Sequence, residues 1–217
     1  MTELLLLLVK PLGETLLMVG ASTLAASILG FPLGILLYLI APGGLSERPR
    51  LRLVLDRVVN ALRSFPFIIL MILLFPLSRL LVGTSIGTVA AVVPLAIAAA
   101  PLVARLVESA LAEVDRGVVE AALTSGATKA RIVFAVLVPE AAPSLVSGLT
   151  LTVINLVGYS AMAGAIGGGG LGDLAVRYGY QRFRMDVMAA AVIVILLLVE
   201  GVQLAGTRIA RDMKTRR

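Results

Sequence analysis

The sequence predicts an all-α, polytopic integral membrane protein with five transmembrane helices, the amino terminus outside and the carboxyl terminus in the cytoplasm. Of the 217 residues, 59% are hydrophobic and 15% are charged, and the mean hydropathy is +1.03. A water-soluble domain of this length needs more Lys, Glu, Arg and Asp to cover its surface. The excess apolar side chains therefore face lipid.

Five apolar stretches are long enough to cross a bilayer, because about 30 Å of hydrocarbon takes roughly 20 helical residues. Prolines inside these stretches are tolerated where neighbouring helices satisfy the freed backbone groups. Gly30 and Gly34 form a Gly-x-x-x-Gly pair in the first stretch, which predicts close packing against another helix. The predicted spans cover about residues 15–40, 64–81, 86–107, 143–166 and 187–209. The predicted domains are an interfacial lead-in at 1–12, a transmembrane domain at 13–207 and a basic cytoplasmic tail at 208–217.

The orientation follows from the basic residues, which collect on the cytoplasmic side of membrane proteins. Of the 19 Lys and Arg residues, 14 fall on one set of alternate connections and 5 on the other. The larger group is therefore cytoplasmic, and it consists of Arg48, Arg50, Arg52, Arg57, Arg63, Arg105, Arg116, Lys129, Arg131, Arg208, Arg211, Lys214, Arg216 and Arg217. The smaller group consists of Lys10, Arg79, Arg177, Arg182 and Arg184.

The composition also limits the chemistry, since the chain has neither cysteine nor histidine. Zinc hydrolysis, Ser–His catalysis and cysteine nucleophiles all lose their usual groups, so no enzymatic activity, metal or cofactor is predicted. The net charge of +6 is explained by membrane orientation and contact with anionic lipid, and nucleic-acid binding is not predicted.

Residues 47–63 predict an amphipathic helix, because Leu51, Leu55, Val58 and Leu62 recur at helical spacing. This helix either lies in the cytoplasmic interface or extends the second span into water.

The connection at residues 113–142 is too polar to span but has clear helical punctuation. Asp115 caps a first short helix, and Gly126 suits the left-handed conformation that ends it. Thr128 caps a second helix, which Pro139 is expected to stop. The sequence therefore predicts a compact helix–glycine–helix unit on the cytoplasmic face.

This unit carries a resemblance. Glu120, Ala121 and Ala122 are followed after three residues by Gly126, and after nine more by an apolar run that ends in Pro139. The pattern resembles the EAA loop of binding-protein-dependent ABC importer permeases, with Val where that family has Ile and Leu. The resemblance implies that the loop sits in a groove of a separate ATP-binding subunit and couples its movement to the spans. An ordinary amphipathic connection is the alternative.

Three further segments, RSFPFIIL at 63–70, VGTSIG at 82–87 and GYSAMAGAIGGGGLGDLAVRYGY at 158–180, resemble methionine-importer permeases. The resemblance implies a type I ABC importer subunit in the bacterial inner membrane. It also implies a homodimer of this chain, two ATP-binding subunits, and an extracytoplasmic methionine-binding protein that delivers L- or D-methionine. Import of another small amino acid, and stand-alone secondary transport, remain the alternatives.

Polar residues within two spans are candidates for a role in transport. One stripe of the fourth span is partly polar and contains Asn155, Tyr159 and Met162. This stripe either lines a translocation path or forms hydrogen bonds to a neighbouring helix. Glu200 is an intramembrane carboxylate in the fifth span, where it takes part in function, pairs with Arg208 or faces a water-filled cavity.

Four glycines follow the fourth span and predict an outer gate segment that is flexible or closely packed, with a plain loop as the alternative. They are Gly167, Gly168, Gly169 and Gly170. With Gly172 they also match Gly-x-Gly-x-x-Gly, but a dinucleotide site needs a strand before this motif and a βαβ unit around it. A P-loop is absent from the sequence, so ATP hydrolysis is expected on another chain.

Overall fold

The computed structural model describes residues 2–215, with side chains from Leu4 onward except that of Leu5. All regular secondary structure within these residues is helical. The α-helices are α1 (Thr2–Leu39), α2 (Pro49–Ser64), α3 (Phe67–Leu73), α4 (Phe75–Val82), α5 (Thr88–Ala112), α6 (Arg116–Thr124), α7 (Lys129–Ile132), α8 (Val138–Ala163), α9 (Gly170–Leu174) and α10 (Met185–Thr215). Three wider π-helical turns cover Val133–Leu137, Gly164–Gly168 and Ala175–Tyr180.

Four helical stretches in the described part of the chain are long and apolar enough to cross a membrane. They are Leu6–Leu39, Thr88–Ala112, Lys129–Gly168 and Met185–Thr215. These stretches coincide with the predicted first, third, fourth and fifth spans, so the all-helical membrane fold is confirmed.

The two ends of the described chain belong to the long helices α1 and α10. Helix α1 runs without a break from Thr2, so residues 2–12 of the predicted lead-in form the first turns of the same helix as the first predicted span. The location of those turns in the interface stays a prediction. Arg216 and Arg217, the last residues of the predicted basic tail, lie outside the described residues.

The segment predicted as the second span is interrupted twice. Helices α3 and α4 have 7 and 8 residues, and Leu74 between them has φ −91° and ψ 0°. Pro66 and Pro76 lie at the starts of these helices, where a missing backbone N–H is harmless. Phe65 is extended, at φ −70° and ψ 131°, because a residue before proline is pushed away from the helical region. Each proline therefore begins a new helix here.

Helix α2 confirms the helix predicted at 47–63, and together with α3 and α4 it runs antiparallel to α5. Asp56 and Asn60 of α2 both contact Arg105 in the second half of α5. Further along the chain, the region around Phe67 shares a cavity with Ala98 near the middle of α5. Residues 49–82 thus form a broken column along α5.

Helix α1 packs tightly on α5, and two glycines allow it. A Cβ atom at Gly30 would lie 2.6 Å from the Ala100 carbonyl oxygen, and one at Gly34 would lie 2.5 Å from the Ala104 carbonyl oxygen. Both distances are far below a normal van der Waals contact, so the helix backbones approach as the Gly-x-x-x-Gly pair predicts. Ala104 is fully buried at this contact, in a small core cluster with Leu37 of α1 and Val59 of α2.

Candidate functional site

The connection at residues 113–142, which we call the coupling unit, begins with a capped helix. The Asp115 side chain accepts a hydrogen bond from the Gly117 backbone amide at 2.7 Å, as the predicted helix cap requires. Val119 on the inner face of α6 is 9% exposed and joins the main core. Helix α6 is therefore fixed at its start and along one face.

Gly126 ends α6 in the left-handed conformation, with φ +79°. The Gly126 amide donates to the Leu123 carbonyl at 3.0 Å, and the Ala127 amide donates to the Ala122 carbonyl at 3.1 Å. These two bonds form a Schellman motif, which satisfies the last carbonyls of a helix. The glycine of the EAA pattern thus sets the angle at which the chain leaves α6.

The second helix of the coupling unit begins as predicted, with the Thr128 hydroxyl accepting from the Arg131 amide at 3.4 Å. The prediction that Pro139 stops it is wrong, because the chain stays helical from Lys129 to Gly168. In an α-helix the Pro139 ring would press on the carbonyl four residues earlier. The π-helical turn before it, in which the Val138 amide bonds to the Val133 carbonyl, widens the helix and removes this conflict.

The coupling unit is joined firmly to the transmembrane helices. Ile132 and Leu137 are fully buried in the main core. The Lys129 ammonium lies 2.8 Å from the Ser46 hydroxyl, in the loop after α1. The Ser144 hydroxyl of α8 donates to the Glu113 carboxylate at 2.6 Å, at the end of α5. A displacement of the coupling unit must therefore move α5 and α8 with it.

Two of the three EAA residues lie on the exposed surface of α6, and the third, Ala122, packs against the main core. Glu120 and Ala121 are exposed, and Ala122 is half-buried. Glu120 also lines a cavity of about 290 Å³ together with Tyr38 and Arg116. The small side chains leave the helix backbone open to close approach by another protein.

Two of the three candidate path residues share a cavity. Asn155 and Tyr159 line a space of about 230 Å³, and the Tyr159 ring stacks on Phe67 with the ring centres 4.6 Å apart. The Asn155 amide nitrogen also donates to the Leu151 carbonyl at 2.9 Å within its own helix. Met162 lies outside this cavity and is 44% exposed.

The candidate gate is a tightly folded glycine turn. Gly167, Gly169 and Gly170 have φ values of +98°, +78° and +78°, which other residues rarely adopt, whereas Gly168 has no positive φ. The Gly87 amide, at the start of α5, donates to the Gly167 carbonyl at 2.9 Å. The turn is closely packed in the structure, and its role as an outer gate stays a prediction.

Helix α1 closes over this turn. The Glu14 carboxylate accepts from the Gly170 amide at 2.8 Å, and the Thr15 hydroxyl accepts from the Leu171 amide at 2.9 Å. Thr15 is 2% exposed, and a Cβ atom at Gly170 would lie 2.7 Å from its hydroxyl oxygen. The first helix is thus hydrogen-bonded to the segment between the last two long helices.

Residues 30–215 match the family described as the binding-protein-dependent transport system inner membrane component. The chain belongs to this family. The permease is 47% identical over 210 residues to the "Probable D-methionine transport system permease protein MetI" of Vibrio cholerae, covering 97% of this chain and 93% of that protein. It is 48% identical over 181 residues to the methionine import system permease protein MetP of Bacillus subtilis, covering 83% of this chain and 82% of that protein.

A crystal structure of the MetNI methionine ABC transporter in an inward-facing conformation contains a chain that superposes on the permease with a TM-score of 0.96. That crystallised chain is 45% identical to the permease, and the match covers 98% of the permease and 99% of the crystallised chain.

The permease also contains a charged cluster that sequence reasoning missed. The Arg105 guanidinium lies 2.8 Å from both Asp56 and Glu108, and the Arg52 guanidinium lies 2.7 Å from Asp56 and also contacts Glu108. Arg52 further donates to the Leu37 carbonyl at 2.5 Å. The cluster therefore ties α1, α2 and α5 together. The sequence did contain a signal for this cluster, namely opposite charges at helical spacing. Arg105 and Glu108 are three residues apart in α5, and Arg52 and Asp56 are four residues apart in α2.

Glu200 lies on an exposed face of α10. Among residues 2–215 it has no ion pair with Arg208, the pairing that the sequence suggested. Its role in the permease stays a prediction.

Proposed function

We propose that this permease is the membrane-spanning subunit of an ATP-driven importer for methionine, in its L- and D-forms. The single observation that carries the proposal is the agreement in sequence and shape, over nearly the whole chain, with permeases of methionine transport systems. Two copies of the permease act with two ATP-binding subunits and an extracytoplasmic methionine-binding protein. ATP hydrolysis takes place on the ATP-binding subunits, and the permease alternates between outward and inward access.

The proposed topology has five crossings, with the amino terminus outside and the carboxyl terminus in the cytoplasm. The second crossing consists of α3 and α4, continued by the end of α2. Its support is the antiparallel course of residues 49–82 along α5, which connects two ends of the bundle. The distribution of basic residues, 14 against 5, supports the orientation.

The proposed contact with the ATP-binding subunit is the surface of α6. Glu120, Ala121 and Ala122 provide the docking surface, Gly126 fixes its angle, and Pro139 marks the point where the wide turn joins α8. The buried anchors and the polar bonds to α1, α5 and α8 support this role, because they transmit a push on α6 into the spans.

The proposed path runs past Asn155 and Tyr159, and the turn at Gly167 to Gly170 closes its outer end. The likeness to an inward-facing conformation supports this arrangement, since a transporter in that conformation is closed on its outer side. Met162 is exposed on the same helix, where it is available to line the path between two copies of the chain.

Reconstitution tests the proposed function. The permease, its ATP-binding subunit and its binding protein in proteoliposomes are expected to take up labelled L-methionine only when ATP is present. Replacing ATP by a non-hydrolysable analogue is the control. Uptake by the permease alone would establish the secondary-transporter alternative, and ATP-dependent uptake of a different amino acid in place of methionine would overturn the substrate.

The path residues have their own test in the same system. Asn155→Ala and Tyr159→Ala should lower methionine uptake while assembly with the ATP-binding subunit is retained. Ser147→Ala on the same helix is the matched control, because the Ser147 hydroxyl bonds only to the Pro143 carbonyl of its own helix at 3.0 Å. Unchanged uptake in both path variants would exclude the path.

A further inference from the structure

Arg63 lies at an unusual position, in the last turn of α2 and next to the break at Phe65 and Pro66. It lines the same cavity as Ala98 and Leu102, which are the eleventh and fifteenth residues of the 25-residue α5. Arg63 is exposed at the end of α2, and its side chain reaches a cavity that is also lined by the middle of α5, a helix long and apolar enough to span the membrane.

The charge of Arg63 is not compensated by the permease chain itself. Among the described residues, no carboxylate pairs with Arg63 and no acceptor bonds to its guanidinium. Arg52 on the same helix shows the contrast, since it contacts Asp56 and Glu108. An uncompensated charge at membrane depth is costly unless water or a ligand satisfies it. Interrupted backbone at that depth likewise requires a polar cavity.

The cavity has the mixed character of a site for a small amphipathic ligand. Arg63 and Asn155 provide hydrogen-bond donors, and Tyr159 adds a hydroxyl group. Phe67 and Leu70 provide an apolar wall, in which the Phe67 ring stacks parallel to the Tyr159 ring. Broken helices at the middle of the membrane form substrate sites in other transporters for the same physical reasons.

We propose that Arg63 binds the α-carboxylate of the transported amino acid at an intermediate site in this cavity. The planar guanidinium offers two parallel N–H donors to a carboxylate. The apolar side chain of the substrate then lies against Phe67 and Tyr159, where a thioether makes favourable contacts with an aromatic ring. This inference rests on the proposed function, since it concerns the substrate of the same path.

The test uses the purified complex of the permease with its ATP-binding subunit, without the binding protein. Equilibrium binding of labelled L-methionine is measured for the wild type, Arg63→Gln and Arg63→Lys, with L-methioninamide as a competitor that lacks the carboxylate. Arg57→Gln is the matched control, because Arg57 is an exposed arginine of the same helix that does not line the cavity. Uptake and ATP hydrolysis are then measured in proteoliposomes with the binding protein.

Arg63→Gln should weaken methionine binding by roughly tenfold or more, the effect of losing a charge-assisted hydrogen bond. Arg63→Lys should bind with intermediate affinity, and Arg57→Gln should bind like the wild type. The wild type should prefer methionine to methioninamide, and Arg63→Gln should lose this preference, which a purely structural role of Arg63 would not change.

Several outcomes would overturn the inference. They are equal binding by Arg63→Gln and Arg57→Gln, no saturable binding by a wild-type complex that transports methionine, and unchanged discrimination against methioninamide. A complex that assembles with Arg63→Lys but not with Arg63→Gln would assign the charge to subunit contact instead. If the wild-type complex imports no methionine at all, the proposed function itself fails, and this failure is visible before any variant is compared.

Discussion

The Arg105 guanidinium of α5 lies 2.8 Å from the Asp56 carboxylate of α2, although 49 positions separate the two residues in the chain. Arg105 also lies 2.8 Å from Glu108 on its own helix, and Arg52 contacts both carboxylates. The four side chains are mostly buried, so the cluster is screened less by water than a surface ion pair. The cluster attaches α2, the first helix of the broken column, to α5, which is the most buried of the four long apolar helices.

Removing one carboxylate from this cluster should destabilise the permease. Asp56→Asn leaves two arginines with a single carboxylate, and the expected cost is about 1.5–3 kcal/mol, the range for hydrogen bonds to charged groups. Thermal unfolding of the detergent-purified permease measures it as a lower midpoint. Asp212→Asn, at an exposed position of α10, should leave the midpoint unchanged. Equal midpoints for the two variants would remove the structural role of the cluster.

Glu14 should stabilise the folded permease through its hydrogen bond to the Gly170 amide and not through its ion pair with Lys10. Glu14→Ala leaves a backbone donor without its acceptor near the buried Thr15, at an expected cost of about 1–3 kcal/mol in unfolding free energy. Glu14→Gln retains an acceptor oxygen and should cost less. Lys10 is 87% exposed and lies 3.8 Å from Glu14, so Lys10→Ala should have little effect. A Lys10→Ala variant as unstable as Glu14→Ala would reverse this assignment.

Gly126 should affect coupling more than folding. A Cβ atom there meets no atom within 4 Å, so the only obstacle to substitution is its φ of +79°. Gly126→Val should change the angle after α6, since the left-handed conformation costs other residues roughly 1–2 kcal/mol. The ratio of methionine uptake to ATP hydrolysis should fall in the reconstituted complex. Gly126→Asn should restore it, because asparagine tolerates this conformation; coupling that stays normal in Gly126→Val contradicts the docking role.

Gly34 should tolerate no side chain. Gly34→Val would force α1 away from the Ala104 carbonyl, and overpacking of this kind costs typically about 1–3 kcal/mol. Gly20→Val on the same helix is the matched control, because a Cβ atom at Gly20 meets nothing within 4 Å. The two thermal midpoints are compared directly. If both variants unfold at the same temperature, close packing of α1 on α5 is not the reason for the glycine.

Glu200 should be dispensable for transport, since it is exposed and has no partner in the described chain. Glu200→Gln should import methionine at the wild-type rate and unfold within about 0.5 kcal/mol of the wild type, as surface substitutions usually do. Uptake in proteoliposomes checks this. A well-assembled variant that has lost uptake would point to a proton-linked role for the carboxylate.

The position of the long spans could be predicted because the signal is summed over about 20 residues, and no single contact decides it. The caps at Asp115 and Thr128 and the turn at Gly126 could also be predicted, since each depends only on residues a few positions away. These local rules apply to a helix whatever its neighbours are.

The breaks could not be predicted in the same way. Pro66 begins a new helix whereas Pro94 and Pro101 lie inside α5, and Pro139 follows a wide turn without ending the helix. Whether a proline interrupts a helix depends on whether neighbouring helices provide a hydrogen-bond donor for the carbonyl that the proline leaves unpaired. The cavity at Arg63 and the pairing of Arg105 with Asp56 are likewise long-range results of packing α2 on α5.

The bond between Glu14 and Gly170 has a consequence for biosynthesis. The ribosome makes Glu14 first, and 156 further positions must be added before its partner exists, which takes roughly 8–30 s at about 5–20 residues per second. During that interval the carboxylate at the start of α1 needs water or lipid headgroups as its hydrogen-bond donors. Helix α1 can therefore close over this turn only late in synthesis, and a nascent chain that ends before residue 170 lacks this bond altogether.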